Sequence, residues 1–339
     1  MSDNIFRFVS LWMIACLSVI GLSESGAHAR RPQQEKGPTT VYMSVFVVDV
    51  DEVFTASQSF DANVFFEYRW NDPRLAHKNK DVISTKLNEI WNPRIQIANQ
   101  QKVFSTLPDI VEIRANGDIV SRQRVWGSFS QPLKLRDFPF DKHNFTIQLV
   151  AVGYGPDDIL LVQDPDIASG ISDNLSVADF DVLHWKAESG EFKMTPNDDP
   201  TAGFRFSFES KRRTGYFIIK VIFPLILIVA MSWVVFWIDP KESGTQISVA
   251  ITTMLTLIAY RFAIDTSLPK VSYLTRLDYF VLASTILVYA SLLEVILTSS
   301  YASAKKIDLA RSIDRWSRAI FPLAFVLMGL ETLYLSLFG

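Results

Sequence analysis

The sequence predicts an all-β sandwich of about ten strands, followed by an all-α domain of four membrane-spanning helices. Three observations predict it: short alternating apolar runs up to residue 213, long unbroken apolar runs after it, and an export signal at the start of the chain. We place the signal peptide at 1–29, the extracellular sandwich at 30–213 and the membrane domain at 214–339.

The export signal is predicted from Arg7, the apolar run that follows it, and the small-x-small sequence Ala27-His28-Ala29. An uncleaved membrane anchor is the alternative, although the run is short for a span. The only cysteine, Cys16, lies in this segment. The exported domain is therefore expected to fold without a disulfide and without thiolate chemistry.

Composition excludes several classes of function. A net charge of −3, with no basic block in the exported half, argues against nucleic-acid binding. His77, His143 and His184 show no metal-ligand spacing, so we expect surface or structural roles for them. We predict no metal, no cofactor and no catalytic residues, because no nucleophile, base and orienting group can be assembled from the sequence.

Strands are predicted where apolar residues alternate over short runs between turn sequences such as Asn116-Gly117-Asp118. The clearest runs are 41–48, 62–70, 120–129, 144–150 and 204–209. Their number and spacing are typical of a β-sandwich.

Four later stretches are each long enough to cross about 30 Å of hydrocarbon. They are 216–238, 246–264, 279–300 and 319–338. The link between the last two carries five lysines and arginines and is predicted to be cytoplasmic, which places the sandwich and the C-terminus on the outer side. Because a charge in lipid is costly, we expect Arg261 and Glu294 to be buried against neighbouring helices.

One face of the second span carries a stripe of small hydroxyls and apolar side chains. At 100° per residue, five residues fall within about 60° of Leu255: Ser248, Thr252, Ala259, Phe262 and Thr266. Hydroxyls can replace part of an ion's hydration shell and an apolar ring can gate by dewetting, so a pore wall in a ring of subunits is one interpretation. Close helix packing in lipid is the other.

Six signatures, in order along the chain, resemble those of the pentameric ligand-gated ion channels. They are Val50-Asp51-Glu52-Val53; Trp70-Asn71-Asp72-Pro73-Arg74-Leu75; Ile90-Trp91-Asn92-Pro93 with Asn99; Phe138-Pro139-Phe140-Asp141; Lys211-Arg212-Arg213-Thr214-Gly215-Tyr216 with Pro224; and Ile251-Thr252-Thr253-Met254-Leu255-Thr256 followed by Leu268-Pro269. The resemblance implies identical subunits in a pentamer around a central pore. It also implies a small-molecule or ionic agonist, permeant inorganic ions and a lipid bilayer as partners.

Two departures from the animal receptors resemble the bacterial branch of that family. Gln131 and Phe145 stand where the animal receptors have paired cysteines, and the last inter-span link is too short for a large cytoplasmic domain. The resemblance therefore implies a multi-pass protein of the bacterial inner membrane. Its N-terminal domain and its C-terminus would lie on the periplasmic side.

The resemblance further implies that ligand binding between neighbouring sandwiches moves loops at the membrane face. The expected contacts are Val53, Phe138, Pro139 and Phe140 against Leu268, Pro269 and Lys270. We expect Arg212 to pair with Glu52 or Asp141, because a lone guanidinium at this junction would be costly. An interfacial cation near lipid headgroups is the alternative for Arg212.

This sequence matches the aromatic agonist site of the animal receptors poorly. Ala98, Val152 and Thr201 occupy positions that are aromatic in acetylcholine-type receptors. A cation–π site needs several ring faces around the charge. Four aromatic residues could still line an interface pocket, with the sandwich core as the alternative for each: Phe65, Tyr154, Phe192 and Phe204.

Ion selectivity is predicted from two acidic residues. Glu242 and Asp265 would form rings of five carboxylates at the two ends of the pore, which favours cations. Ile251-Thr252-Thr253 is also similar to the anion-conducting receptors, so an anion-conducting channel is the alternative. A non-conducting, membrane-anchored periplasmic sensor is the alternative from another class.

Overall fold

The computed structural model describes residues 30–32, 37–265 and 268–337, with side chains up to 331. The predicted signal peptide and Thr266 lie outside the described residues.

Twelve strands build the described part of the N-terminal half, where about ten were predicted. They are β1 (Thr39–Phe54), β2 (Ser59–Asn71), β3 (Ile83–Lys86), β4 (Ile95–Ile97), β5 (Gln100–Ser105), β6 (Ile110–Ile113), β7 (Asp118–Ser130), β8 (Lys142–Ala151), β9 (Ile159–Gln163), β10 (Gly170–Ile171), β11 (Phe180–Phe192) and β12 (Thr201–Arg212). All five runs singled out from the sequence lie in strands. Several others are only two to five residues long, too short for an alternating pattern to define.

The strands form two sheets. The larger sheet has the order β10-β1-β2-β7-β6-β3, with β5 also pairing with β7 and β9 with β1. The smaller sheet has the order β11-β12-β8-β4. Strand β1 pairs in parallel with β9 and β10 and shifts register against β2 at two points. The register shifts lie next to Asp49 and Glu52, at the end of β1 that leads to the first inter-strand loop.

The core lies between the sheets and is rich in aromatic rings. Phe60 of the larger sheet packs on Phe129 at 5.4 Å, on Phe145 at 5.0 Å and on Phe208 at 6.1 Å between ring centroids. All four side chains are at most 1 % exposed. Phe145 stands where the resemblance would place a cysteine, and burial of its ring supplies apolar stabilisation at that position.

Among the described residues from 215 to 337, four helices follow: α1 (Gly215–Trp237), α2 (Ser243–Ile264), α3 (Arg276–Ser303) and α4 (Ile307–Leu337). Residues Ile218–Ile222 of α1 form a π turn and Val234–Trp237 a 3₁₀ turn, while Pro240–Glu242 is a short 3₁₀ turn before α2. A capping box of Thr275 and Asp278 begins α3. Only Arg213 and Thr214 lie between the end of β12 and the start of α1, so the sandwich and the bundle are joined directly.

Three of the described helices are long and apolar enough to cross a membrane: Gly215–Trp237, the helix with its leading turn Pro240–Ile264, and Arg276–Ser303. Helix α4 contains residues 319–337 of the fourth predicted span but begins twelve residues before that span. The basic residues Arg311, Arg315 and Arg318 are therefore helical, and the link between α3 and α4 is only three residues long, 304–306.

Candidate functional site

Helix α2 has one buried and one exposed face in the subunit. Gln246, Ala250, Thr253, Leu257 and Ile264 are buried against the other helices. The predicted stripe lies on the opposite face, and all its described members are exposed: Ser248, Thr252, Leu255, Ala259 and Phe262. Leu255 is 61 % exposed and Phe262 is 78 % exposed. Such large apolar side chains on an exposed helix face need a partner outside this subunit or a role of their own.

The hydroxyls of α2 bond back to their own helix. Ser248 Oγ donates to the carbonyl oxygen of Gly244 at 2.8 Å, Thr252 Oγ1 to that of Ser248 at 2.7 Å, and Thr256 Oγ1 to that of Thr252 at 2.8 Å. The single O–H donor of each hydroxyl is therefore used within the helix, and its oxygen lone pairs remain available to accept hydrogen bonds or bind cations. This face therefore presents acceptors rather than donors.

The two acidic residues at the ends of α2 are exposed. Glu242 precedes the helix and Asp265 follows it directly. The expectation for Arg261 was wrong in one respect: its side chain is exposed instead of buried in its own bundle. The expectation for Glu294 is confirmed, since it is buried and its Oε1 accepts a hydrogen bond from Ser317 of α4 at 3.0 Å.

At the membrane face of the sandwich, Arg212 pairs with Asp141. Arg212 Nε lies 2.8 Å from Asp141 Oδ1 and Nη2 lies 2.9 Å from Oδ2, and both side chains are at most 5 % exposed. Burial alone would raise the pKa of the Asp141 carboxyl, but hydrogen bonds from His143 and Arg212 outweigh it and lower that pKa. Of the two partners expected for Arg212, the structure places Asp141 there, while Glu52 is exposed on β1.

Two aromatic rings complete this ion pair. The Arg212 guanidinium lies 5.0 Å from the ring centroid of Phe138 and 4.5 Å from that of Phe180. His143 is buried beside them and hydrogen-bonds Asp141 at 2.5 Å, so this histidine has a structural role. The loop 135–141 is thus attached to the last strand through charge, hydrogen bonds and ring contacts.

The same loop contacts the start of α3, at residues that no sequence pattern predicted. Backbone N–H groups of Arg276 and Leu277 donate to the carbonyls of Arg136 and Phe138 at 2.9 and 3.2 Å. Arg276 Nη2 also lies 2.7 Å from Asp137 Oδ1. Asp137 and Arg276 carry opposite charges, but they are far apart in the sequence, and only the fold brings them together.

The polar contacts of this junction lie further along the chain than the contacts expected at Leu268, Pro269 and Lys270. Tyr273 Oη accepts a hydrogen bond from the backbone N–H of Leu135 at 3.0 Å, so these polar contacts lie at 273–277, and the contacts at 268–270 stay a prediction. Leu268 and Val53 are both half-buried against the hydrophobic core. Lys270 is exposed.

An apolar cavity of about 280 Å³ lies directly below the loop. Pro139 and Phe140 form its roof, and Phe217 of α1 packs edge-on against Phe138 at 4.7 Å. The walls come from three helices: Ile222, Ile226, Leu277, Phe280, Phe325 and Val326. Movement of the loop would therefore be transmitted to α1, α3 and α4.

The four aromatic pocket residues do not come together. Phe204 is fully buried in the core, so we withdraw it from the pocket. Tyr154 lines a cavity of about 530 Å³ together with Trp91, Arg94 and Asn92, whereas Phe65 and Phe192 are not among its lining residues. Trp91 Nε1 donates to Tyr154 Oη at 2.9 Å, and the Arg94 guanidinium lies 5.9 Å from the Tyr154 ring centroid.

Comparison with known protein families agrees with this architecture. Residues 22–214 match the neurotransmitter-gated ion-channel ligand binding domain, and residues 221–306 match the neurotransmitter-gated ion-channel transmembrane region. The first match alone covers more than half of the chain, and the boundary between the two falls where β12 gives way to α1. The chain belongs to the neurotransmitter-gated ion-channel family, the pentameric ligand-gated channels of the Cys-loop superfamily.

Proposed function

We propose that the chain is a subunit of a homopentameric ligand-gated ion channel of a bacterial plasma membrane, with the exposed face of α2 lining the pore. The observation that supports this most is the division of α2 into a buried face and an exposed stripe. One helix cannot enclose a channel, so the stripe becomes a pore only when a symmetric ring of subunits brings five copies together. Leu255 would then form an apolar collar that gates by dewetting.

We propose cation conduction. The exposed carboxylates of Glu242 and Asp265 would concentrate cations at the two mouths. Between them, Ser248, Thr252 and Thr256 offer oxygen lone pairs, because their donors are used within the helix. Oxygen acceptors suit cations, whereas an anion needs donors.

Agonist binding is proposed between adjacent sandwiches, beside Tyr154 and the neighbouring cavity. The signal would pass to the helices through the loop 135–141, which binds Arg212 of the last strand on one side and Arg276 at the start of α3 on the other. The sandwich and the C-terminus would lie on the periplasmic side.

Two measurements on purified protein test the proposal. In mild detergent, the particle mass should equal five mature chains. In planar bilayers under a sodium chloride gradient, the reversal potential should lie toward the sodium equilibrium potential, and Glu242→Gln should reduce single-channel conductance while Glu331→Gln, exposed on α4, should not. A reversal potential at the chloride value would favour the anion channel, and pentamers that never conduct would favour the sensor.

A further inference from the structure

Two buried carboxyl groups face each other between α3 and α4, at the end of the bundle away from the sandwich. Glu294 of α3 is 8 % exposed and Asp314 of α4 is 1 % exposed. Ser317, one turn after Asp314 on the same face of α4, hydrogen-bonds Glu294 Oε1 at 3.0 Å, so the two carboxyl groups are neighbours. Neighbouring buried carboxylates repel strongly when both are ionised. The gating scheme proposed above makes no use of either residue.

Neighbouring polar groups compensate the pair only in part. Ser317 donates one hydrogen bond to Glu294 Oε1 at 3.0 Å. Gln246, fully buried on the pore-side helix α2, adjoins Asp314, but its amide Nε2 donates to the carbonyl of Ile238 at 2.9 Å.

Arg318 attracts the Asp314 carboxylate through space but does not hydrogen-bond it. Arg318 Nε donates to the carbonyl of Phe236 at 3.0 Å, and its guanidinium lies 5.4 Å from the ring centroid of Trp237. Asp239 is within electrostatic range of Asp314 but pairs with Arg311 at 2.8 Å. One carboxylate and one arginine in that outer pair offset each other, so they do not cancel the charge of the buried carboxyls.

The unsatisfied atoms at this place are all oxygens. Among the described residues, Glu294 Oε2, both carboxyl oxygens of Asp314 and Gln246 Oε1 are buried without a hydrogen-bond partner. Each is an acceptor when the carboxyls are ionised, so the cluster contains acceptors that face no donor. One proton on either carboxyl creates the missing donor and removes the repulsion at the same time.

A metal ion fits the site less well than a proton. Calcium takes about six to eight oxygen ligands, whereas this cluster supplies four unsatisfied ones. Within the part of the chain that the structure describes, no group of three or more histidine, cysteine, aspartate or glutamate side chains is placed to hold a metal. A proton needs neither volume nor a full ligand shell.

We propose that Glu294 and Asp314 form a proton-binding site that holds one shared proton between α3 and α4 at neutral pH, next to Gln246 of the pore helix. The site would bind its proton whether or not the chain conducts ions.

Infrared difference spectroscopy of the purified full-length protein between neutral and alkaline pH tests this. Wild type should show the carbonyl stretch of one protonated carboxyl per chain. The double variant Glu294→Gln/Asp314→Asn should lose this band, while Asp308→Asn, exposed on the same helix, should keep it. A band that survives in the double variant, or is absent from wild type, would overturn the proposal.

Labelling provides a second readout in case the double variant does not fold. Carbon-13 in the carboxyls of aspartate alone, or of glutamate alone, should each shift the wild-type band, because the proton is shared. A carbonyl band whose frequency neither label shifts would contradict the shared proton. Stabilisation of wild type by calcium or sodium, with no protonated-carboxyl band, would assign the site to a cation and also overturn the proposal.

Discussion

Arg212 and Asp141 form a two-point ion pair in the interior of the junction, with Nε–Oδ1 and Nη2–Oδ2 distances of 2.8 and 2.9 Å. Arg212 is the last residue of β12, three residues before α1 begins. Asp141 closes the loop whose backbone bonds the start of α3. A single ion pair thus connects the end of the sandwich to two of the helices.

Replacing Arg212 with glutamine should destabilise this junction strongly. Removing one partner of a buried pair leaves an uncompensated charge, at a cost of about 3–5 kcal/mol. Of the side chains that the structure describes, only His143 would still hydrogen-bond Asp141. Thermal unfolding of the purified protein, with the assembled fraction measured in parallel, gives the loss of stability.

Arg213→Gln is the matched control for that experiment. Arg213 pairs with Asp181 at 2.6 Å, but both side chains are more than half exposed. Exposed pairs contribute little because water and salt screen them. Equal effects of the two substitutions on stability and on agonist-evoked current would remove the Arg212–Asp141 pair from the mechanism.

Acid should weaken the same junction. The pKa of Asp141 is lowered in the folded protein, so the ionised form contributes stability that is complete well above the unfolded-state value of about 3.9. That contribution is lost as the pH falls through the lower, folded-state pKa. The melting temperature should therefore drop below about pH 4.

Asp141→Asn should flatten this acid dependence, since asparagine does not titrate. Asp181→Asn, which removes an exposed carboxylate, should leave the acid dependence of wild type in place. Parallel acid curves for wild type and Asp141→Asn would show that other carboxyls dominate the loss.

Leu255→Ser should make the proposed gate easier to open. A differential hydration of even about 0.5 kcal/mol in each of five subunits shifts the closed-to-open equilibrium by nearly two decades, because about 1.4 kcal/mol is tenfold. The variant should open spontaneously or respond to much less agonist. Concentration-response curves measure the shift.

Leu257→Ser separates gating from packing. Leu257 is two residues away but fully buried against the other helices, so serine there should reduce folded protein at the membrane and should not shift agonist sensitivity. If Leu255→Ser reaches the membrane with unchanged sensitivity and no spontaneous current, Leu255 is not the gate.

Much of the architecture was predictable because it depends on periodicity. Alternation gave the long strands, and apolar length gave the three helices that qualify as spans. The early start of α4 was missed because residues 307–318 are too charged to look like a span, although charged residues form helices readily.

The sites were predictable only in part, since contacts across long sequence separations depend on tertiary structure. The stripe on α2 followed from helical geometry within one element. Asp137 with Arg276 and Glu294 with Asp314 join residues that no local pattern relates. Phe204 looked like a pocket residue because an aromatic side chain in a strand suits a core and a binding site equally.

Cysteine accessibility along α2 tests the pore assignment most directly. The only native cysteine, Cys16, lies in the predicted signal, so the mature background needs no other cysteine replaced. Single cysteines at Ser248, Thr252, Leu255 and Ala259 would be treated with a charged, water-soluble thiol reagent during agonist application. Ala250 and Leu257, both buried, are the matched controls on the same helix.

Current through the open channel should be blocked by modification at the four exposed positions and should be unaffected at the two buried ones. Modification rates at Ser248 and Thr252, which lie beyond the proposed Leu255 gate, should rise when agonist opens the channel, because a reagent added from the sandwich side reaches them only then. Modification that blocks current at Ala250 and Leu257 but leaves it intact at Thr252 and Leu255 would contradict the proposal that this face of α2 lines the pore.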